Sequence, residues 1–103
     1  MISNLEKLLG TPRDGALLRY SLGLEYAKAG DLARAVEHLR EAVARDPDYS
    51  AAWKVLGKSL AEMQRADEAK EAFRLGIEAA RRKGDRQAEK EMSVFSRRLE
   101  KDR

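Results

Sequence analysis

The strongest constraint on the fold of this chain is an internal repeat with a period of 34 residues. When the sequence is shifted by that period, residues 16–49 lie over residues 50–83 with six identities. These include a pair of glycines, Gly23 and Gly57, and a pair of alanines, Ala35 and Ala69. Self-similarity at such a period is the signature of stacked supersecondary units that bury a continuous core together.

Each unit carries two apolar stripes at helical spacing, separated by a short break, so each is predicted to be a helix pair. Asp31 is predicted to cap the second helix of unit one, because its carboxylate can accept from the free amides of the first turn. Asp46-Pro47 should end that helix, since a residue before proline avoids the helical region. The stripes are Leu18, Leu22, Tyr26, then Leu32, Ala35, Val36, Leu39, Ala42, Val43; and Trp53, Leu56, Leu60, then Ala69, Phe73, Ile77.

Gly23 and Gly57 fall in the middle of predicted helices, where glycine costs up to about 1 kcal/mol relative to alanine. Two such glycines at equivalent places indicate a shared packing reason, and close approach of the partner helix is the simplest. Ala35 and Ala69 are the small residues expected to face them.

The chain resembles the tetratricopeptide repeat family, whose pattern is W-x2-L-G-x2-Y, then A-x3-F, then A and P, with a period of 34 residues. Departures are Arg19 for the Trp, Leu60 for the Tyr, Gly76 for the Ala and Arg81 for the Pro. The resemblance implies an all-α, right-handed superhelical stack of antiparallel helix pairs, as in a small bacterial protein with about two full repeats. Matching residues are Leu22, Gly23, Tyr26, Ala35, Leu39, Ala42 and Pro47 in unit one, and Trp53, Leu56, Gly57, Ala69 and Phe73 in unit two.

The two flanks are expected to cover the exposed ends of this short stack. One domain is predicted, with an N-terminal helix and turn at 1–15, repeats at 16–49 and 50–83, and a capping helix at 84–103. Residues 2–9 are expected to form the first helix. Burying the stripe Ala88, Met92, Phe95 and Leu99 requires the turn at Lys83-Gly84 to be one residue longer than the period allows.

The residue types needed for catalysis are nearly absent. The chain has no cysteine and one histidine, His38, which is expected on a solvated face. Gly57-Lys58-Ser59 imitates the end of a phosphate-binding loop, but Ala52 stands where that loop needs glycine. The sequence therefore predicts no enzyme activity, metal or cofactor. It also lacks the apolar run of a signal peptide or membrane span, so a cytoplasmic location is expected.

The predicted site is the concave groove, which the resemblance implies is lined by fixed positions of the first helix of each pair. Some members of that family hold the C-terminal carboxylate of a peptide with Lys and Asn side chains of the groove. Tyr20 and Leu24 stand at the repeat-one positions of this clamp and cannot form it, so a complete clamp is not expected. A groove apolar at Tyr20 and Leu24 and basic at Lys54 and Lys58 would suit a protein segment with an apolar anchor and nearby Asp or Glu. The groove positions are Leu17, Tyr20, Leu24, Ala27 and Lys28 in repeat one, and Ala51, Lys54, Lys58, Ala61 and Glu62 in repeat two.

The favoured function is therefore a protein–protein interaction module, acting as an adaptor or co-chaperone-like scaffold. Two alternatives without a ligand stay open. Tyr20 and Leu24 could pack on the terminal helices of the chain itself, and Lys54 and Lys58 could simply be solvated. A second function is a homo-oligomeric subunit, such as a homodimer sealed through Ile2, Leu5 or Phe95.

Nucleic-acid binding through the basic C-terminal segment is the weakest alternative. Residues 81–103 hold nine Lys/Arg and five Asp/Glu, against twelve and thirteen in residues 1–80. The interspersed acids and the shortage of exposed aromatic residues argue against it.

Overall fold

Two helix pairs follow the period of the sequence in the computed structural model, which describes residues 1–101. A short helix precedes them and a long one follows, so the all-α prediction is confirmed. The elements are α1 (Ile2–Glu6), α2 (Ala16–Lys28), α3 (Leu32–Arg45), α4 (Ser50–Glu62), α5 (Ala66–Lys83) and α6 (Arg86–Lys101).

The ends of α3 and α5 differ for a reason that is visible in the sequence. The Asp31 side chain accepts from the Arg34 amide at 3.2 Å, and α3 stops at Arg45, just before Asp46-Pro47. In the second pair Arg81 stands where proline would be, so α5 continues to Lys83 and ends at left-handed Gly84, with φ of 71°.

This extension changes the phase of α6. The starts of α2 and α4 are 34 residues apart, whereas those of α4 and α6 are 36 apart, so the turn is two residues longer than the period, not one. Asp85 accepts from the Ala88 amide at 3.1 Å and caps α6. Ala88 and Met92 are buried as predicted, and Phe95 and Leu99 pack partly against the core.

Gln64 occupies the turn position that glycine holds in the first repeat. Its φ is 63°, close to the 84° of Gly30, and both lie in the left-handed region. In this region, steric strain destabilises a residue that has a Cβ by roughly 1–2 kcal/mol. Glycine avoids this strain, but its larger loss of chain entropy on folding costs about 0.5–1 kcal/mol. We expect Gln64→Gly to raise the free energy of unfolding by about 0.5–1 kcal/mol in urea titrations, and Gly30→Ala to lower it by about 1 kcal/mol. A loss of stability in Gln64→Gly would contradict this account.

The helices form two layers that curve. Within residues 1–101, α2 contacts α4 and α4 contacts α6, whereas the backbones of α3 and α5 stay apart and are linked by an ion pair between Arg40 and Glu68 at 3.2 Å. A gap of about 330 Å³, lined partly by Val43 and Ala72, separates α3 from α5. The helices of the layer α2, α4 and α6 lie closer together than α3 and α5, so the stack curves toward that layer. The concave face is therefore made by α2, α4 and α6.

The mid-helix glycines make room for large side chains rather than for small ones. A Cβ on Gly23 would lie 2.5 Å from Leu39 Cγ, and one on Gly57 would lie 2.7 Å from Phe73 Cζ. The nearest neighbours of these glycines are therefore the Leu39 and Phe73 side chains, and not the side chains of Ala35 and Ala69 as predicted. The Ala35 carbonyl oxygen also comes near, at 3.3 Å from the position of a Cβ on Gly23.

The N-terminal segment packs on α2, but its helix is shorter than expected. The α-helix ends at Glu6, and the Leu8 and Leu9 amides then donate to carbonyls three residues back. Leu5, Leu8 and Leu9 lie against the core. The Tyr26 hydroxyl donates to Glu6 at 2.7 Å, which fastens this segment to the first helix pair.

Candidate functional site

The ten predicted groove residues all lie at the surface of α2 and α4. Each is at least partly exposed, whereas Leu18, Leu22 and Tyr26 on the opposite side of α2 are buried. Five of the ten are on α2 and five on α4, the helices of the concave layer. Helical spacing explains this, since residues 17, 20, 24 and 27 form one stripe and residues 18, 22 and 26 form another.

The α2 part of this surface is apolar and open. Leu17 is 69% exposed, and Leu24, two turns later, is half-buried. The Tyr20 ring lies 5.0 Å from that of Tyr49, at the start of α4. Tyr20 therefore packs against the residue that precedes α4, so part of its ring is covered by the chain itself.

The α4 part is less basic than the sequence suggests, because α6 lies beside it. Lys54 Nζ is 3.3 Å from Glu91 Oε1, so its charge is compensated. Lys58 Nζ lies 5.2 Å from the centre of the Phe95 ring, a distance at which a cation is attracted by the ring face. The two lysines therefore do not act as a free pair.

A depression of about 230 Å³ lies between the C-terminal parts of α4 and α6, and we call it the notch. Its α6 residues were missed by sequence reasoning, although Phe95 and Leu99 were recognised as an apolar stripe. Both contacts between Lys54 or Lys58 and α6 join residues 37 apart, a spacing that the period of 34 does not suggest. The notch is lined by Lys58, Ala61, Glu62, Phe73, Phe95, Arg98 and Leu99.

Arg19, at the position of the family tryptophan, builds a polar cluster instead of an aromatic contact. Its guanidinium donates to both oxygens of Asp14 at 3.0 and 3.1 Å, and Arg45 donates to the same carboxylate at 3.0 Å. The Asp14 side chain is only 7% exposed. The hydrogen bond from Arg19, followed by that from the Gly10 amide, holds the pKa of Asp14 well below its ordinary value.

This shift gives the stability a defined pH dependence. A carboxylate with a lowered pKa stabilises the fold fully above its ordinary pKa of 3.8 and loses that effect as the pH falls. We expect Asp14→Asn to be less stable than wild type at pH 7, with a difference that shrinks below about pH 4. Urea unfolding at several pH values measures it, with Asp48→Asn, in an exposed ion pair with Arg82, as the control. A difference that does not change with pH would contradict the role of Asp14.

The sequence predicted His38 on a solvated face, and this prediction is wrong. It is half-buried, and its ring stacks on Tyr26 with 5.5 Å between centroids and 3° between planes. Burial, and then the positive charge of Arg19, lower its pKa. Within residues 1–101, no group of three His, Asp or Glu side chains could hold a metal ion.

Three acids of α6 pair with cations that lie on α4 and α5. Glu89, Glu91 and Glu100 pair with Arg81, Lys54 and Lys70, respectively. These acids therefore compensate cations of other helices and not those of α6. This weakens the argument that interspersed acids would prevent α6 from binding a nucleic acid. In the described part of the chain, no helix is long and apolar enough to span a membrane. The cations exposed along α6 are Arg86, Lys90, Arg97, Arg98 and Lys101.

Comparison with known proteins agrees with this architecture. A TPR repeat-containing protein of Pseudomonas aeruginosa is 48% identical over 103 residues, covering all of this chain and 98% of that protein. The solution structure of a Bordetella parapertussis protein is 41% identical, with a TM-score of 0.84 over 99% of this chain and 89% of that one. The Sgt2 TPR domain of Aspergillus fumigatus is 27% identical, with a TM-score of 0.83 over 98% of this chain and 66% of that one.

Three observations support the family assignment. The 34-residue pattern fits both helix pairs, the concave layer has the expected helices, and a family model described as tetratricopeptide repeat matches residues 26–89. Proteins of this family are generally non-enzymatic scaffolds, and the fold supports protein–protein interaction. The chain thus belongs to the tetratricopeptide repeat family.

Proposed function

We propose that this protein is an adaptor or scaffold that binds a segment of another protein in its concave groove. The observation that carries the proposal is the second apolar stripe of α2. Tyr20, Leu24 and the largely exposed Leu17 follow one another at helical spacing, outside the stripe that fills the core. Packing on Tyr49 accounts for Tyr20, whereas Leu17 and Leu24 are not among the described residues that pack against the core, and exposed apolar residues on one face are typical of an interaction site.

The groove offers different chemistry along its length. The α2 side gives apolar contact, whereas the neighbouring α4 carries Lys54, already paired with Glu91, and Lys58, which has no carboxylate partner in residues 1–101. A segment with an apolar anchor against α2 and an acidic group directed toward Lys58 would complement this surface.

Quantitative capture from a lysate of the source organism tests this proposal. The bait proteins are wild type, a groove variant with Leu17→Ser and Leu24→Ser, and a control with Leu75→Ser and Val94→Ser. The control removes two partly exposed apolar side chains from α5 and α6 outside the predicted groove. We expect at least one protein to be retained by wild type and control and reduced about tenfold or more with the groove variant.

Equal capture by all three baits would contradict binding in the groove, provided that circular dichroism shows all three folded. Light scattering on the same samples addresses the homo-oligomer alternative. If the wild type is a dimer that the groove variant converts to a monomer, the groove is an interface between copies of the chain, and the adaptor proposal is wrong.

A further inference from the structure

The bottom of the notch is apolar and about as wide as one side chain. The rings of Phe73 and Phe95 stack there with 5.8 Å between centroids, and Leu99 lies beside them. Phe73 is fully buried while Phe95 is half-buried, so Phe95 supplies the part of this floor that solvent reaches. At about 230 Å³ the space is smaller than a pocket for a typical small-molecule ligand, and it fits a single apolar side chain.

Two cations border this floor without a carboxylate partner. Lys58 Nζ and the Arg98 guanidinium lie 5.2 and 5.8 Å from the centre of the same Phe95 ring. Within residues 1–101 no ion pair joins either of them to an acid, and Glu62, which also lines the notch, pairs with neither. The ring attracts both charges but uses none of their N–H donors, and the two cations repel each other.

Two lysines near the notch, in contrast, have acidic partners. Lys54, one turn before Lys58, is paired with Glu91 at 3.3 Å, and Lys70 on α5 approaches Glu100 at 3.8 Å. The acids of α6 thus neutralise lysines on both sides of the notch and leave Lys58 and Arg98 unneutralised. A carboxylate that bridged them would accept charge-assisted hydrogen bonds and remove their repulsion.

We propose that the notch binds an apolar side chain, leucine- or phenylalanine-sized, that has a carboxylate next to it in a protein segment. The apolar side chain lies on Phe95 and Leu99, above the buried Phe73 ring, and the carboxylate accepts from Lys58 and Arg98. This assignment rests on the proposed function, because Lys58, Ala61 and Glu62 belong to both the groove and the notch. It names the chemistry of the segment that the groove takes up: an apolar residue beside an aspartate or glutamate.

A pair of peptides that differ in one group tests the proposal. The ¹⁵N-labelled full chain is titrated with acetyl-Gly-Phe-Asp-Gly-amide and with acetyl-Gly-Phe-Asn-Gly-amide, and the amide chemical shifts are followed. We expect the aspartate peptide to bind about fivefold more tightly and to shift the amides of the C-terminal halves of α4 and α6. Equal affinities, shifts confined to other helices, or no binding of either peptide up to several millimolar would each overturn the proposal.

Matched variants separate the notch from general charge attraction. Lys58→Gln with Arg98→Gln should abolish the difference between the peptides, whereas Lys90→Gln with Arg97→Gln, on the outer face of α6, should keep it. The groove variant with Leu17→Ser and Leu24→Ser should also keep it. If partner capture depends on Leu17 and Leu24 but the peptides bind alike, the groove proposal stands and the notch proposal falls. If the protein binds the aspartate peptide more tightly but capture does not depend on Leu17 and Leu24, the notch proposal stands and the groove proposal falls.

Discussion

Truncating Phe73 to alanine is expected to lower the free energy of unfolding by about 4 kcal/mol. Phe73 is one of the largest fully buried side chains, and its ring lies between Gly57 on α4 and Phe95 on α6. Removing it opens a cavity where three helices meet. The glycine opposite has no side chain that could move in to fill the space, so little relaxation is expected and the loss should lie in the upper range for such substitutions.

Urea unfolding followed by circular dichroism measures this loss, and Leu75→Ala is the matched control. Leu75 lies two residues further along α5 but is only half-buried, beside the open gap between α3 and α5. We expect the control to lose about 1 kcal/mol. If Phe73→Ala lost no more than Leu75→Ala, the junction of α4, α5 and α6 would not be the packed centre described above.

Replacing Gly57 with alanine is expected to destabilise the protein by about 2 kcal/mol, against the trend of helix propensity. Propensity alone favours alanine inside a helix by up to about 1 kcal/mol. A Cβ at this position would, however, lie 2.7 Å from both Cδ1 and Cζ of Phe73. The ring is rigid and enclosed, so relief requires α4 and α5 to move apart, and the packing cost exceeds the propensity gain.

A double-mutant cycle shows whether this clash is the cause. In the Phe73→Ala background the ring is gone, so Gly57→Ala should be neutral or stabilising by up to about 1 kcal/mol. Thermal and urea unfolding of the two single variants and the double variant give the coupling. If the two effects simply added, the cost of alanine at residue 57 would arise elsewhere, and the close approach to Phe73 would not explain the glycine.

The parts of the fold that depend on local sequence signals could be predicted. Asp31 and Asp46-Pro47 set the ends of α3, and most residues of the predicted apolar stripes are buried, whereas Leu32, Trp53 and Ile77 are only partly buried. The partner of each mid-helix glycine could not be predicted in the same way. Helical spacing identifies which residues share a face, but which of them meets Gly57 depends on the crossing of α4 and α5.

The site was predictable only where the period of 34 applies. The groove positions on α2 and α4 follow from the family resemblance that this period carries and lie at the surface, while their binding role remains a proposal. The contribution of α6 depended on the length of the turn at Gly84, which is set by the continuation of α5 past Arg81. The neutralisation of Lys54 by Glu91 and the position of Phe95 beside Lys58 therefore became visible only in three dimensions.

The central claim is that a partner segment binds on the concave layer, and an amide chemical-shift map tests it most directly. The ¹⁵N-labelled chain is titrated with the partner that wild type captures and the groove variant does not. Our account predicts that the largest shifts fall on the exposed stripe of α2 from Leu17 to Ala27 and on α4 from Lys54 to Glu62, with α3 little changed. Largest shifts on α3 and α5 would place the partner on the outer layer and contradict the account.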